Sequence, residues 1–112
     1  MLIRSAKDLE FYKLAYKLAI EILRISKSFP KEETYALIDQ IRRSSRSVCA
    51  HSREAWAKRR YEAHLISGLS DVDSEASETD TWLDFALDAE YVNRQTRENL
   101  SNKCRHIGSM PG

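Results

Sequence analysis

Between residues 34 and 89 apolar side chains recur three and four apart, and the charge beside them changes sign midway. Such spacing draws an apolar stripe down one face of a helix. Residues 39–60 carry Arg42, Arg43, Arg46, Arg53, Lys58, Arg59 and Arg60 against only Asp39 and Glu54. Residues 71–90 carry Asp71, Asp73, Glu75, Glu78, Asp80, Asp84, Asp88 and Glu90 with no Lys or Arg. A basic amphipathic helix followed by an acidic one is expected to fold back as two antiparallel neighbours, with charged surface left over for a partner. The 112 residues hold 3 glycines and 2 prolines, and no strand-type alternation interrupts the pattern, so the whole chain is expected to be helical.

Four helices follow from the spacing. The first should begin near Asp8 as N-cap, after an arm of residues 1–7. Leu9, Tyr12, Ala15, Tyr16, Ala19, Ile22, Leu23 and Ser26 form its stripe. Phe29-Pro30 ends it, because the residue before proline is pushed out of the α region, and residues 31–33 turn the chain. The second helix is expected over 34–56, with Leu37, Ile38, Ile41, Ser45, Val48, Ser52, Ala55 and Trp56 inward. Its small residues permit close approach of another helix. Residues 57–61 connect it to the third, although a single long bent helix is an alternative, since that stretch has no Gly or Pro. The third helix runs to about residue 89, with Tyr61, Leu65, Gly68, Leu69, Val72, Ala76, Thr79, Trp82, Leu83, Ala86 and Leu87 facing in. A mid-helix glycine costs about 1 kcal/mol relative to alanine, and close packing against the second helix would justify Gly68. The fourth spans about 93–107, with Leu100, Cys104 and Ile107 inward, and residues 108–112 form a frayed end. The expected architecture is one all-α domain, residues 1–112, folded as an antiparallel up-down-up-down four-helix bundle. Tyr16, Trp56, Trp82 and Phe85 are more aromatic mass than one such bundle hides, so a homo-oligomer is expected.

The strongest functional signal is basic. At about 100° per residue, Arg42, Arg46, Arg53 and, if the helix continues, Arg60 fall within roughly 40° of one another. Arginines in a row can engage successive phosphates, each contact releasing a counterion. Arg43, Lys58 and Arg59 widen the patch. The plainer reading is a flank that pairs with the acidic helix or with a neighbouring subunit. Net charge is +1, so nucleic-acid affinity would come from local clustering and not from the global field. Trp56 and Tyr61 flank the basic run, yet both fit the core stripe.

Chemistry is not expected. Cys49-Ala-His51 and Cys104-Arg-His106 suggest zinc, but residues two apart on a helix point about 200° away from each other, so neither pair closes on one ion. Di-metal bundles use Glu-x-x-His on two helices, and this sequence has none. No Gly-rich phosphate loop and no paired nucleophile and base are legible. The chain is therefore expected to be non-enzymatic, with no catalytic residues, no metal and no cofactor. No apolar run reaches the ~20 residues of a membrane span, and no apolar signal segment opens the chain. A cytoplasmic location is expected.

Asp8-Leu9, Phe29-Pro30, Tyr35-x-Leu37 and Gln40-Ile41-Arg42-Arg43-Ser44 resemble the first half of the small four-helix bundle proteins encoded in intervening sequences of bacterial 23S ribosomal RNA genes. Glu75-Ala76-Ser77-Glu78-Thr79, then Trp82-Leu83 and Tyr91, resemble the third helix of that family, and Ile107-Gly108-x-Met110 its C-terminal end. The resemblance covers residues 8–110, and its most specific pieces are Gln40-Ile41-Arg42-Arg43 and Glu78-Thr79-x-x-Trp82-Leu83. It implies a ring-like homopentamer of antiparallel bundles. A relative, the accessory protein of diversity-generating retroelements, is a basic pentamer that binds nucleic acid and the reverse transcriptase. By analogy it implies an RNA or DNA partner here. After Val48 the sequence departs from the usual Pro-Ala-Asn-Ile-Ala-Glu-Gly of many members. It reads Cys49-Ala50-His51-Ser52-Arg53-Glu54-Ala55, keeping only Ala50 and Glu54. Any bend that the usual segment puts into the second helix is expected to be weaker here. The function that these readings favour is an oligomeric nucleic-acid-binding adaptor. The alternative is a homo-oligomeric protein–protein scaffold.

Overall fold

The structure, a computed structural model, describes residues 6–109. Within them four α-helices follow in order: α1 (Ala6–Ser26), α2 (Asp39–Ala57), α3 (Glu62–Asp88) and α4 (Arg94–Ser109). No strand occurs among the described residues. Asp8, expected to cap the first helix, lies inside α1, which is already helical at Ala6 and Lys7. Both are good helix formers, and no residue there stops propagation.

Phe29-Pro30 ends α1 as expected. The last turn tightens through Lys27 and Ser28 amides bonded to the Arg24 and Ile25 carbonyls. Phe29 is then buried with Leu37, Ile38 and Ala86, its ring 5.3 Å from that of Tyr91. A 3₁₀ turn (Lys31–Glu33) and one wide π-type turn (Thr34–Ile38) carry the chain into α2.

The four helices share one core: Phe11, Ala15, Leu18 and Ile22 from α1, Ile41 and Val48 from α2, Val72, Ala76 and Leu83 from α3, and Leu100, Cys104 and Ile107 from α4. The stripes expected for the second to fourth helices are largely the ones used. For α1 the expected face is displaced. Phe11 and Leu18 are buried, with Leu14 and Ile25 packed beside them, whereas Tyr16 stands exposed. α1 is apolar around most of its circumference, so two overlapping stripes satisfy the same spacing. Burial favours Phe and Leu, and leaves outside the tyrosines, whose hydroxyls need polar partners.

α2 and α3 approach closely because small residues meet. A Cβ added to Gly68 would lie 3.0 Å from Ala55 Cβ. Further along, Ser44, Ser45 and Ser52 of α2 are buried. Their hydroxyls are satisfied inside the helix, Ser52 donating to the Val48 carbonyl at 2.7 Å and Ser45 to the Arg42 carbonyl at 3.2 Å. Thr79 Oγ1 lies 2.9 Å from Ser44 Oγ. No hydroxyl of this seam is left to desolvation without a partner.

The pairings between helices run in reverse sequence order. Ala55 meets Gly68, His51 faces Glu75 and Arg43 meets Glu78. Tyr12 meets Arg53, and Ser26 meets Arg42. Asp73 adjoins Gly108, Asp80 faces Arg105 and Asp84 faces Arg97. α3 ends with Glu90 at φ 65°, the Tyr91 amide reaching back to the Ala86 carbonyl and the Glu90 amide to that of Leu87. This is a Schellman closure with glutamate at the left-handed position. Asn93 then caps α4, its side-chain oxygen accepting from the Thr96 amide at 2.7 Å.

The body measures 44 × 25 × 17 Å. Its longest element is α3, with 27 residues against the 16 of α4. Upstream of Val72, Leu65 packs with Ala55 and Leu69 in a small separate cluster. No helix among the described residues is long and apolar enough to cross a membrane. Gly108 and Ser109, expected at a frayed end, are helical; the rest of that end, residues 110–112, lies outside the described residues, as do residues 1–5 of the arm.

Candidate nucleic-acid interface

The seven cations singled out in sequence divide into three groups. Arg43 belongs to the fold. It is ion-paired with Glu78 on α3, with Glu75 3.9 Å away. Glu78 Oε2 also accepts from the Trp82 indole at 3.1 Å. His51 turns to the same side, Nε2 lying 3.9 Å from Glu75. The carboxylates of α3 thus neutralise this flank of α2 from within the chain.

Arg42, Arg46 and Arg53 lie on the other flank, facing away from α3. Arg42 is half-buried, its Nε donating to Ser26 Oγ at 2.7 Å. Arg53 donates to Tyr12 Oη at 3.2 Å and stands over that ring, 5.5 Å from its centroid. Arg46 is exposed, with no hydrogen bond or ion pair among the described residues. None of the three reaches a carboxylate among the described residues. Cys49 and Trp56 fall on the same strip, within about 80° of arc, which runs roughly 21 Å from Arg42 to Trp56.

Lys58, Arg59 and Arg60 form the turn between α2 and α3. The helix stops at Ala57, so Arg60 does not extend the ridge as a helical position; the turn bonds Lys58 to the Glu54 carbonyl and Tyr61 to that of Lys58. Arg59 lies over Trp56, its Cζ 4.2 Å from the ring centroid, and donates to the Trp56 carbonyl at 2.9 Å. Trp56 and Tyr61 are not core residues, being 39% and 66% exposed. Tyr61 stands at the very start of α3, and Trp56 lies on the flank of α2 that faces away from α3, so neither meets the shared core.

The remaining candidates are chemically quiet. Burial pushes the Cys49 thiol up, against a hydrogen bond from Tyr12 and the charge of Arg53. Burial, with Asp80 nearby, pushes Cys104 up to about 12. Neither is an activated nucleophile. No three His, Cys, Asp or Glu side chains converge as for a metal among the described residues.

At the opposite end from the Lys58–Arg60 turn, a groove of about 590 Å³ is lined by Leu37, Gln40, Trp82 and Phe85. The Trp82 and Phe85 rings are 5.7 Å apart, and Phe85 is 57% exposed. In sequence Trp82 and Phe85 read as excess aromatic mass, but nothing there places them in one groove.

The chain is similar in structure to a protein of unknown function from the S23 ribosomal protein family of Bacteroides thetaiotaomicron VPI-5482. The TM-score is 0.82 at 28% identity, over 93% of each chain. No curated protein matches it. Residues 7–111 match the family described as 23S rRNA-intervening sequence protein. With four helices in one core and the match spanning nearly the whole sequence, the chain belongs to the 23S rRNA-intervening sequence protein family.

Proposed function

We propose that this chain is a non-enzymatic, cytoplasmic subunit, an antiparallel up-down-up-down bundle that assembles as a homo-oligomer and holds RNA or DNA by its phosphate backbone along α2. The reversed order of the interhelical pairings supports the antiparallel reading. One observation carries the nucleic-acid reading: the acidic helix draws in Arg43 and leaves Arg42, Arg46 and Arg53 unneutralised on the opposite flank. Guanidinium forks suit phosphate oxygens, and the turn cations Lys58 and Arg60 continue the strip. Repetition around a closed ring would multiply a weak site through effective concentration, so a chain of net charge +1 can still bind.

The Trp82–Phe85 groove supports self-association, in the five-fold ring that the resemblance implies. An exposed Phe85 resting on a partly buried Trp82 beside an apolar recess is the anatomy of an interface anchor. A gel shift with RNA and DNA at low salt tests the binding. The parent is expected to shift both, and Arg42→Gln/Arg46→Gln/Arg53→Gln to shift neither while remaining folded and oligomeric. If the triple variant instead falls to monomers, the ridge is an intersubunit surface and the protein–protein scaffold is the correct reading.

A further inference from the structure

The turn between α2 and α3 combines three consecutive cations with two solvent-facing rings, neither of which joins a core cluster of the described residues. Trp56 and Tyr61 bracket Lys58, Arg59 and Arg60. The buried residue that fixes the local register is Leu65, held by Ala55 and Leu69. Tyr61 stands just before α3 with extended backbone, φ −112° and ψ 102°, and its ring meets the His64 ring edge-on, 5.9 Å away. Ile66, one turn on, is also exposed. The only carboxylates next to this cluster in sequence are Glu54 and Glu62, and neither pairs with a cation of the turn.

We propose that this tip is a stacking platform for single-stranded nucleic acid, on which unpaired bases lie against Tyr61 and the Arg59–Trp56 layer while Lys58 and Arg60 hold the flanking phosphates. The proposal rests on the nucleic-acid reading of the ridge and narrows its ligand. Bases in a duplex are stacked on one another and offer no face, so exposed rings among cations favour a single strand. Arg59 over Trp56 already forms the cation–π layer on which a base can continue the stack. The three cations match a phosphate backbone in charge, and a second copy of the chain in the same place is distinguished by the oligomeric state of the Tyr61→Ala variant. The strip of Arg42, Arg46 and Arg53 ends at Trp56, so a strand lying on the ridge is delivered to the rings.

The test is fluorescence anisotropy with labelled oligo-dT and with a DNA duplex of equal length, at matched low salt. The parent should bind oligo-dT more tightly than duplex. Tyr61→Ala should weaken oligo-dT binding by roughly fivefold to a hundredfold, the effect of removing the stack of one base. It should leave duplex affinity and the salt dependence unchanged, and Tyr61→Phe should retain parent affinity because the ring face remains. Equal affinity for duplex and single strand, or a Tyr61→Ala effect that is absent or equal on both, would overturn the platform while leaving the ridge reading intact. A change of oligomeric state in Tyr61→Ala without selective loss of oligo-dT binding would overturn it too, showing that Tyr61 joins one copy to the next. If neither nucleic acid binds the parent, the platform and the ridge reading fall together.

Discussion

Arg43 of α2 is ion-paired with Glu78 of α3, and the same carboxylate oxygen accepts from the Trp82 indole. Beside this pair, Ser44 meets Thr79. The two most specific pieces of the family resemblance are therefore the two pieces that touch. They make a polar clasp across the small-residue seam of α2 and α3. The clasp decides which arginines are spent inside the fold and which remain for a partner.

Glu78→Gln is expected to lower stability by about 1 kcal/mol, since it weakens a partly exposed ion pair and an indole hydrogen bond together. Arg43→Gln should cost a similar amount. In a double-mutant cycle read by chemical denaturation, the two should couple by about 0.5–1 kcal/mol. Additive losses would mean that the pair contributes nothing jointly.

Gly68→Leu should destabilise by about 1–3 kcal/mol through overpacking, because the added Cβ alone would meet Ala55 Cα at 3.3 Å, and backbone cannot move aside as a flexible side chain can. A thermal melt indistinguishable from the parent would mean that α2 and α3 are not this close.

The stripes of α2 and α3 are legible in the sequence because each helix has one apolar face and small residues marking the seam. That of α1 is not, since Tyr12, Tyr16 and Ala19 offer a second apolar stripe as regular as the buried one. Trp56 and Tyr61 read as core residues and are not, because periodicity reports spacing, not which flank of α2 meets α3 or where α3 begins. Among the candidate cations, Arg43 reads as part of the patch, although it lies about 100° from Arg42 and so faces a different neighbour. That angle is available in the sequence; its carboxylate partner on α3 is not. The end of α3, expected near residue 89, falls at Asp88; only its left-handed closure is hidden, because Glu90 stands where glycine usually signals one.

Glu90→Gly should accordingly stabilise the protein by about 1 kcal/mol, relieving the cost of a side chain at φ 65°. The Schellman bonds from Glu90 and Tyr91 remain available to glycine. An unchanged or lower melting temperature would show that the glutamate side chain or the unfolded-state entropy of glycine outweighs the relief.

The thiols give a pH prediction. With Cys104 pushed up to about 12 and Cys49 also raised, little thiolate exists near neutrality, so an aromatic disulfide reagent should label the native protein slowly and the denatured protein fast. The folded state holds its thiol protons more tightly than the unfolded state. Their contribution to stability is therefore full below the unfolded value of 9.0 and declines as pH rises from there toward about 12. Rapid labelling of both cysteines in the native protein at pH 7 would contradict the burial that drives the shift.

The division between clasp and ridge is tested most directly by the salt dependence of nucleic-acid affinity in two variants. Arg46→Gln/Arg53→Gln should flatten the log–log slope by about 0.7–0.9 for each phosphate no longer neutralised and leave the melting temperature near that of the parent. Arg43→Gln should lower the melting temperature and leave the slope unchanged. The reverse pattern, with the slope set by Arg43 and indifferent to Arg46 and Arg53, would contradict the assignment of α2's outer flank to the phosphate backbone.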